Sequence, residues 1–252
     1  MRTLRLKGWL FVSVVLLALV AVACGNVTSG PSCDDVSPSG ADASQGNAFG
    51  NPSIEEGAEP WCSLTTAAWG KPFSVSRAQA HSGASSALLE LRSAAGGSAR
   101  VYGVVQELVT EEFPDVFSGY YYVDRWQQGT PKQYLQFVVI VFNAANQPAE
   151  VQAPNHQIRY VLAGVDSPPL QIANARYVML GTGEPAQGQW VRFERNVRED
   201  FEELWGAEPE GFSKLRILFE VRWDDRQPSD GPSLADVFYD DLYAGPAAVD
   251  VG

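Results

Sequence analysis

Lys214-Leu215-Arg216-Ile217-Leu218-Phe219-Glu220-Val221-Arg222-Trp223-Asp224 decides the fold, because its side chains alternate strictly. Ile217, Phe219, Val221 and Trp223 share one face, and Leu218, Glu220, Arg222 and Asp224 share the other. A period of two with one apolar face is the signature of a half-buried strand in an antiparallel sheet. The same β-branched and aromatic composition recurs on both sides of this stretch. Lys71–Ala80, Ala87–Arg92, Ala99–Val109, Phe117–Trp126 and Gln133–Phe142 read as strands, as do Ile158–Val165, Ala175–Leu180, Gln189–Val197 and Val237–Tyr243. Gly, Pro, Asn and Ser clusters separate them. Leu135–Phe142 is apolar on both faces and belongs in the middle of a sheet. Only Arg198–Trp205 has a helical pattern. Many short strands with one helical turn predict an all-β sandwich or barrel.

The N-terminus carries a different signal. Arg2, Arg5 and Lys7 precede an almost wholly apolar run from Gly8 to Ala23, which ends Ala21-Val22-Ala23-Cys24. A short basic head, an apolar centre and small residues before a cut site describe an export signal. The cysteine at the cut resembles that of a bacterial lipoprotein signal, which implies lipidation of Cys24 and anchoring to a membrane of the cell envelope. Ala21-x-Ala23 also satisfies ordinary signal cleavage, and an uncleaved anchor is a third reading, although the run is shorter than the ~20 residues that span a bilayer.

Composition narrows the partners. The chain has 18 Lys and Arg against 30 Asp and Glu, a net charge of −12. Loss of residues 1–23 removes three of the basic residues and leaves 15 against 30, a net −15. Phosphate binding needs clustered Lys and Arg, so nucleic acid is excluded as a partner. Three cysteines, Cys24, Cys33 and Cys62, leave one without a mate. Lipidation of Cys24 would account for the odd one and leave Cys33 and Cys62 to pair in an oxidising compartment, with two free thiols as the alternative. Residues 24–47, rich in Gly, Ser, Pro, Asn and Asp, read as a flexible tether from the lipidated cysteine. Residues 48–246 form the folded domain and residues 247–252 a tail.

Three segments resemble carbohydrate-binding modules of families four, nine and twenty-two. Asn51-Pro52-Ser53-Ile54-Glu55-Glu56-Gly57 with Pro60-Trp61 is similar to the opening of those modules. Ala80-His81-Ser82-Gly83-Ala84-Ser85-Ser86-Ala87-Leu88 resembles their turn into the third strand, and Phe238-Tyr239-Asp240-Asp241-Leu242-Tyr243 their last strand. Val101-Tyr102, Gln106 and Tyr120-Tyr121-Tyr122-Val123 fall between them in the expected order. The resemblance implies a galactose-binding-like jelly roll of two antiparallel sheets. It also implies a structural calcium held by Glu55 with Asp240 or Asp241 and by carbonyls near Ser82-Gly83, a ligand chemistry that suits a hard cation. The chain departs from the family in extra length near Ala144–Ser167 and in an Asp-rich loop, Asp224–Asp236.

Sugar binding needs flat aromatic faces beside paired hydrogen-bonding groups. On simple alternation Tyr120, Tyr122 and Trp126 share one face of a strand, with Tyr121 and Arg125 on the other. Glu220, Arg222 and Asp224 then stand ready to meet Arg125 or Gln136 across a concave sheet. Tyr121, Arg125, Trp126, Glu220 and Arg222 are therefore the candidate ligand-binding residues. Arg195 and Asp200 are candidates for a structural ion pair. No residue is assigned to catalysis: neither of the two histidines is matched with a nucleophile, His81 being explained by its turn and His156 by an insertion loop. No G-x-S-x-G, H-E-x-x-H or phosphate-binding loop occurs. The expected function is non-catalytic carbohydrate binding by an anchored envelope protein. The alternatives are a structural or protein-interaction lipoprotein on the same fold, or a polysaccharide hydrolase or lyase.

Overall fold

A computed structural model describes residues 28–40, 43, 46–92, 99–146 and 155–247. The export signal, Cys24 and the last five residues lie outside the described residues, as does the middle of the expected insertion. The described residues form the jelly-roll β-sandwich, two six-stranded sheets and one helix. Sheet I runs, from edge to edge, β1 (Thr28–Ser29), β3 (Ser74–Ser76), β4 (Ser86–Arg92), β12 (Leu234–Gly245), β6 (Val116–Gln127) and β10 (Trp190–Asn196). Sheet II runs β2 (Ser39–Gly40), β5 (Arg100–Val109), β11 (Lys214–Trp223), β7 (Gln133–Phe142), β8 (Asn155–Ala163) and β9 (Ala175–Met179). Pairing is antiparallel except for β2 with β5 and β8 with β9.

All ten predicted strands are present, and Gln133–Phe142 and Lys214–Trp223 keep their predicted bounds. The doubly apolar β7 lies inside sheet II between β11 and β8. Alternation in β11 does what the sequence requires of it. Phe219, Val221 and Trp223 enter the space between the sheets, where Phe219 meets Phe49, Phe137, Phe193 and Tyr239. Glu220 and Arg222 are left on the outer face of sheet II.

Helix α1 (Val197–Trp205) extends the predicted helical turn by one residue. The Asn196 side chain accepts from Glu199 N–H at its start, and left-handed Gly206 closes its end, donating to the carbonyl of Glu202. The expected ion pair is present there: Arg195 Nε lies 3.0 Å from Asp200 Oδ2.

The stretch read as a tether differs from expectation at residues 28–40. Thr28–Ser29 pairs with β3 and Ser39–Gly40 with β5, so this part belongs to the sandwich. A disulfide joins Cys33 to Cys62 with their Cα atoms 4.9 Å apart. Both cysteines pack, with Val36 and Leu64, over the outward-facing Val105, Val138 and Leu218 of sheet II. Glycine- and serine-rich composition was compatible with a linker, but the disulfide and this apolar patch hold the segment down. Cys62, Ala68 and Gly70 add main-chain hydrogen bonds along the free edge of β5, which removes an open edge. Among the described residues no helix is long and apolar enough to cross a membrane.

His156 is the second departure. It lies in β8, 2% exposed, against Phe201 and Trp205. Burial pushes its imidazole down to about 4. An unfolded histidine titrates near 6.5, so the unfolded chain takes up this proton first. The stability linked to neutral His156 is complete above pH 6.5 and is lost as pH falls towards 4. Asp240, raised to about 6 by burial, acts with the opposite sign in an overlapping range. Comparison of the protein with His156→Phe isolates the histidine: the fall in Tm between pH 6.5 and 4 becomes shallower in the variant, and parallel curves refute the assignment.

Candidate functional site

Two clusters emerge from the residues singled out in the sequence, one at each outer face. The first joins Glu55, Asp240 and Asp241 at the loop that enters β4. A bulge in β12 after Asp240 breaks the alternation, with Asp241 at φ 48°, so two successive carboxylates reach the same loop. Asp240 Oδ2 accepts the main-chain N–H of His81 and of Ser82, and its Oδ1 accepts that of Asp241. Asp241 Oδ1 accepts the hydroxyls of Ser53 (2.8 Å) and Ser82 (2.6 Å), while Oδ2 meets His81 Nδ1 at 2.6 Å. Glu55 Oε1 accepts Ala84 and Ser85 N–H. Burial pushes Asp241 up, but the bonds from His81, Ser82 and Ser53 outweigh it and hold the carboxyl below its usual range.

Glycine is required at the centre of this loop. Gly83 has φ 61°, and a Cβ there would lie 2.6 Å from the Glu55 carboxylate. The resemblance therefore brought the right residues together, but the donor set does not fit a calcium ion. The aspartate oxygens face N–H and O–H hydrogens where a cation needs free lone pairs. No group of three His, Cys, Asp or Glu able to hold a metal occurs among the described residues. A melting curve in chelator is expected to superimpose on one in millimolar calcium; a rise in Tm with calcium would show a site that this arrangement lacks, since a ligand of the native state must stabilise it.

The second cluster lies on the outer face of sheet II. Arg222 is clamped between Glu220 and Asp224, with Nε and Nη2 at 3.0 and 2.7 Å from the Asp224 carboxylate and Nη1 at 3.3 Å from Glu220. Glu220 is 3% exposed and accepts Gln136 Nε2 at 2.5 Å. Tyr134 donates its hydroxyl to Asp224 at 2.6 Å. Burial drives the Tyr134 phenol well above its ordinary value. Burial alone would lower the Arg222 guanidinium; Glu220, Tyr134 and Asp224 hold its proton far above the ordinary arginine range.

Around this triad the strands add more of the face. Gly103 is paired with Glu220, and the Trp69 indole lies against it: a Cβ on Gly103 would stand 2.7 Å from Trp69 Cη2. A glycine inside a strand permits this close approach. On the far side Arg159 in β8 pairs with Tyr177 in β9, its guanidinium 6.0 Å from the ring. Burial raises the Tyr177 phenol; Arg159 and Arg222 pull it down, and Asp224 and Glu220 push it up. The phenol thus lies within the field of both arginines. Three buried polar atoms on this face have no hydrogen-bond partner among the described residues: Gln136 Oε1, Arg159 Nη1 and the Tyr177 hydroxyl. An acceptor and two donors thus lie just beneath the surface between Trp69 and Tyr177.

The other sequence candidates do not join it. Tyr121 is 5% exposed and turned into the core beside Tyr239. Arg125 pairs with Asp236 on the outer face of sheet I, the opposite side of the sandwich from Glu220 and Arg222. Trp126 packs against the core and donates Nε1 to Gln128. All three lie on β6, which belongs to sheet I, and a second bulge decides which of its faces Arg125 and Trp126 take. Arg125 is opposite Asp236 and Val123 opposite Val237, so Asp124 is an extra residue that inverts the alternation. Arg125 and Trp126 consequently exchange the faces assigned to them. Gln136 does meet Glu220, as expected. Trp69, Arg159 and Tyr177 were missed. Strand alternation could have found the last two, because Arg159 is flanked by the core residues Ile158 and Tyr160.

No protein family and no curated protein matches the chain in sequence. Among solved structures, TmCBM61 in complex with β-1,4-galactotriose aligns with 14% identity and a TM-score of 0.39, covering 79% of this chain and 97% of that one. The enzymatically active domain of tailspike protein 4 of bacteriophage CBA120 aligns with 12% identity and a TM-score of 0.38 over 79% of this chain. That second likeness spans only 21% of the tailspike chain.

Proposed function

We propose that the protein binds a carbohydrate without turning it over, on the outer face of sheet II, while a lipid on Cys24 holds it at the cell envelope. The observation that carries the binding reading is the set of unpartnered Gln136 Oε1, Arg159 Nη1 and Tyr177 hydroxyl beside the Glu220–Arg222–Asp224 triad. A buried polar atom without a partner is costly, and sugar hydroxyls, which both donate and accept, can satisfy acceptor and donors together. Trp69, whose close approach Gly103 permits, offers an apolar indole surface on which a pyranose ring stacks. No covalent step is assigned, because no nucleophile with an adjacent base lies on this face. The anchor rests on the export signal, on Cys24 and on the pairing of the other two cysteines.

Glycan-array screening followed by calorimetry tests the reading. Trp69→Ala is expected to weaken binding by at least about tenfold, in line with loss of an aromatic anchor from an interface. Glu220→Gln, which keeps the shape and removes one charge, should weaken it less. Tyr122→Ala, on the outer face of sheet I, should leave affinity unchanged. Failure to retain any glycan, or equal loss from Tyr122→Ala, would remove the site. Fatty-acid labelling of the protein and of Cys24→Ser tests the anchor separately; equal labelling would overturn it.

A further inference from the structure

The carbohydrate reading leaves the chemistry of the sugar open, and Arg159 narrows it. The outer face of sheet II holds two guanidiniums close to the Tyr177 phenol. Arg222 is fully engaged by Glu220 and Asp224. Arg159 forms no ion pair among the described residues. Its Nε donates to Gln157 Oε1 at 2.8 Å, and its Nη1 is buried with no partner. A guanidinium remains charged at any physiological pH, so this is a cation without a direct carboxylate partner in a chain whose net charge is −12. The two arginines that β11 places on this outer face each have an acid, Arg216 with Glu107 and Arg222 with its two carboxylates, whereas Arg100 and Arg176 of sheet II turn to main-chain carbonyls.

From this unpaired guanidinium we infer that the bound sugar is a uronic acid, its carboxylate received by Arg159 while Gln136 and Tyr177 hold its neighbouring hydroxyls. The inference rests on the carbohydrate reading and adds the charge of the ligand to it. The chemistry is direct. A planar guanidinium with a free edge matches a carboxylate, and a charge-assisted bond of this kind is about twice as strong as a neutral one. Sequestration from water on the sheet face limits screening. The acidity of the whole chain works against a long polyanion, so recognition must come from these short-range contacts and is best read on short oligosaccharides. Gln136, 0% exposed with its Oε1 unpartnered, is the acceptor that fixes the ring relative to Arg159.

The test uses matched pairs. Trimers of galacturonate, guluronate and mannuronate are each compared with their fully methyl-esterified forms, which keep ring and linkage and lose the charge. For the trimer that binds, the acid is expected to bind at least about tenfold more tightly than its ester. Arg159→Gln should abolish that preference, so that acid and ester bind alike, with unchanged Tm. Arg159→Lys should restore part of the preference, since it keeps the charge without the fork. Equal binding of acid and ester, or an acid preference that survives Arg159→Gln, would overturn the uronate inference. Binding only to neutral glycans would also overturn it and leave the carbohydrate reading standing. No binding to acids, esters or any neutral glycan would overturn both.

Discussion

Replacing Arg222 with methionine is expected to lower the stability of the fold by about 3–5 kcal/mol, the cost of removing one partner from a buried ion cluster. At roughly 2–4 °C per kcal/mol for a domain of this size, thermal unfolding should fall by on the order of 6–20 °C. The reason is not the strength of the cluster. Arg222 is almost buried, and its removal leaves Glu220 and Asp224, each about 4% exposed in the side chain, facing one another with no cation between them. Tyr134 and Gln136 still donate one hydrogen bond to each carboxylate, which does not cancel the charge. The origin of the loss is separable by experiment. Arg222→Met combined with Glu220→Gln and Asp224→Asn removes all three charges, and a large part of the stability should return. A triple variant no more stable than the single one would show that the methionine failed for reasons of packing.

The same cluster shows how far strand alternation reaches. It separated Phe219, Val221 and Trp223 from Glu220 and Arg222 correctly, because β11 is regular over its whole length and pairs without a shift on both sides. It failed at Arg125 and Trp126, because one unpaired residue, Asp124, inverts the phase and leaves no mark in composition. Asp240 and Asp241 reach one loop through a similar irregularity, and there the resemblance to a known segment succeeded where periodicity would have sent them to opposite faces. What the resemblance could not give was the direction of the surrounding hydrogens. Ser53, His81 and Ser82 look like any polar loop residues until their donors are seen to fill the carboxylates.

Trp69, Arg159 and Tyr177 come from three separate parts of the chain, and only sheet order brings them to one face. Gly103 was the available clue. A glycine amid Val101, Tyr102, Val104 and Val105 marks a place where something lies close, but it does not say what. The segment from Thr28 to Gly40 was misread for a related reason. Linker-like composition describes how a chain behaves alone, whereas here a covalent bond to Cys62 and an apolar patch on sheet II decide its place.

That bond is the second large lever. Cys33 and Cys62 are 29 residues apart, and closing a loop of that size stabilises by about 3–4 kcal/mol on the chain-entropy account. Reduction, or the double change Cys33→Ser and Cys62→Ser, is therefore expected to lower Tm by on the order of 6–16 °C. The loss should be local before it is global. Residues 28–40 are held by the disulfide, by two short strand pairings and by main-chain bonds between Cys33 and Ser63 and between Ser63 and Pro31. Without the disulfide, those few hydrogen bonds and the contacts of Val36 must hold the segment alone. Limited proteolysis of the double variant should cut first within residues 28–40, at temperatures where the core of β7 and β11 stays protected. The cover over Val105, Val138 and Leu218 includes Trp69, so release of the segment should also weaken glycan binding while the Glu220–Arg222–Asp224 triad persists. A double variant that melts with the parent and resists protease in this segment would show that packing alone holds it, and would leave the disulfide without a structural role.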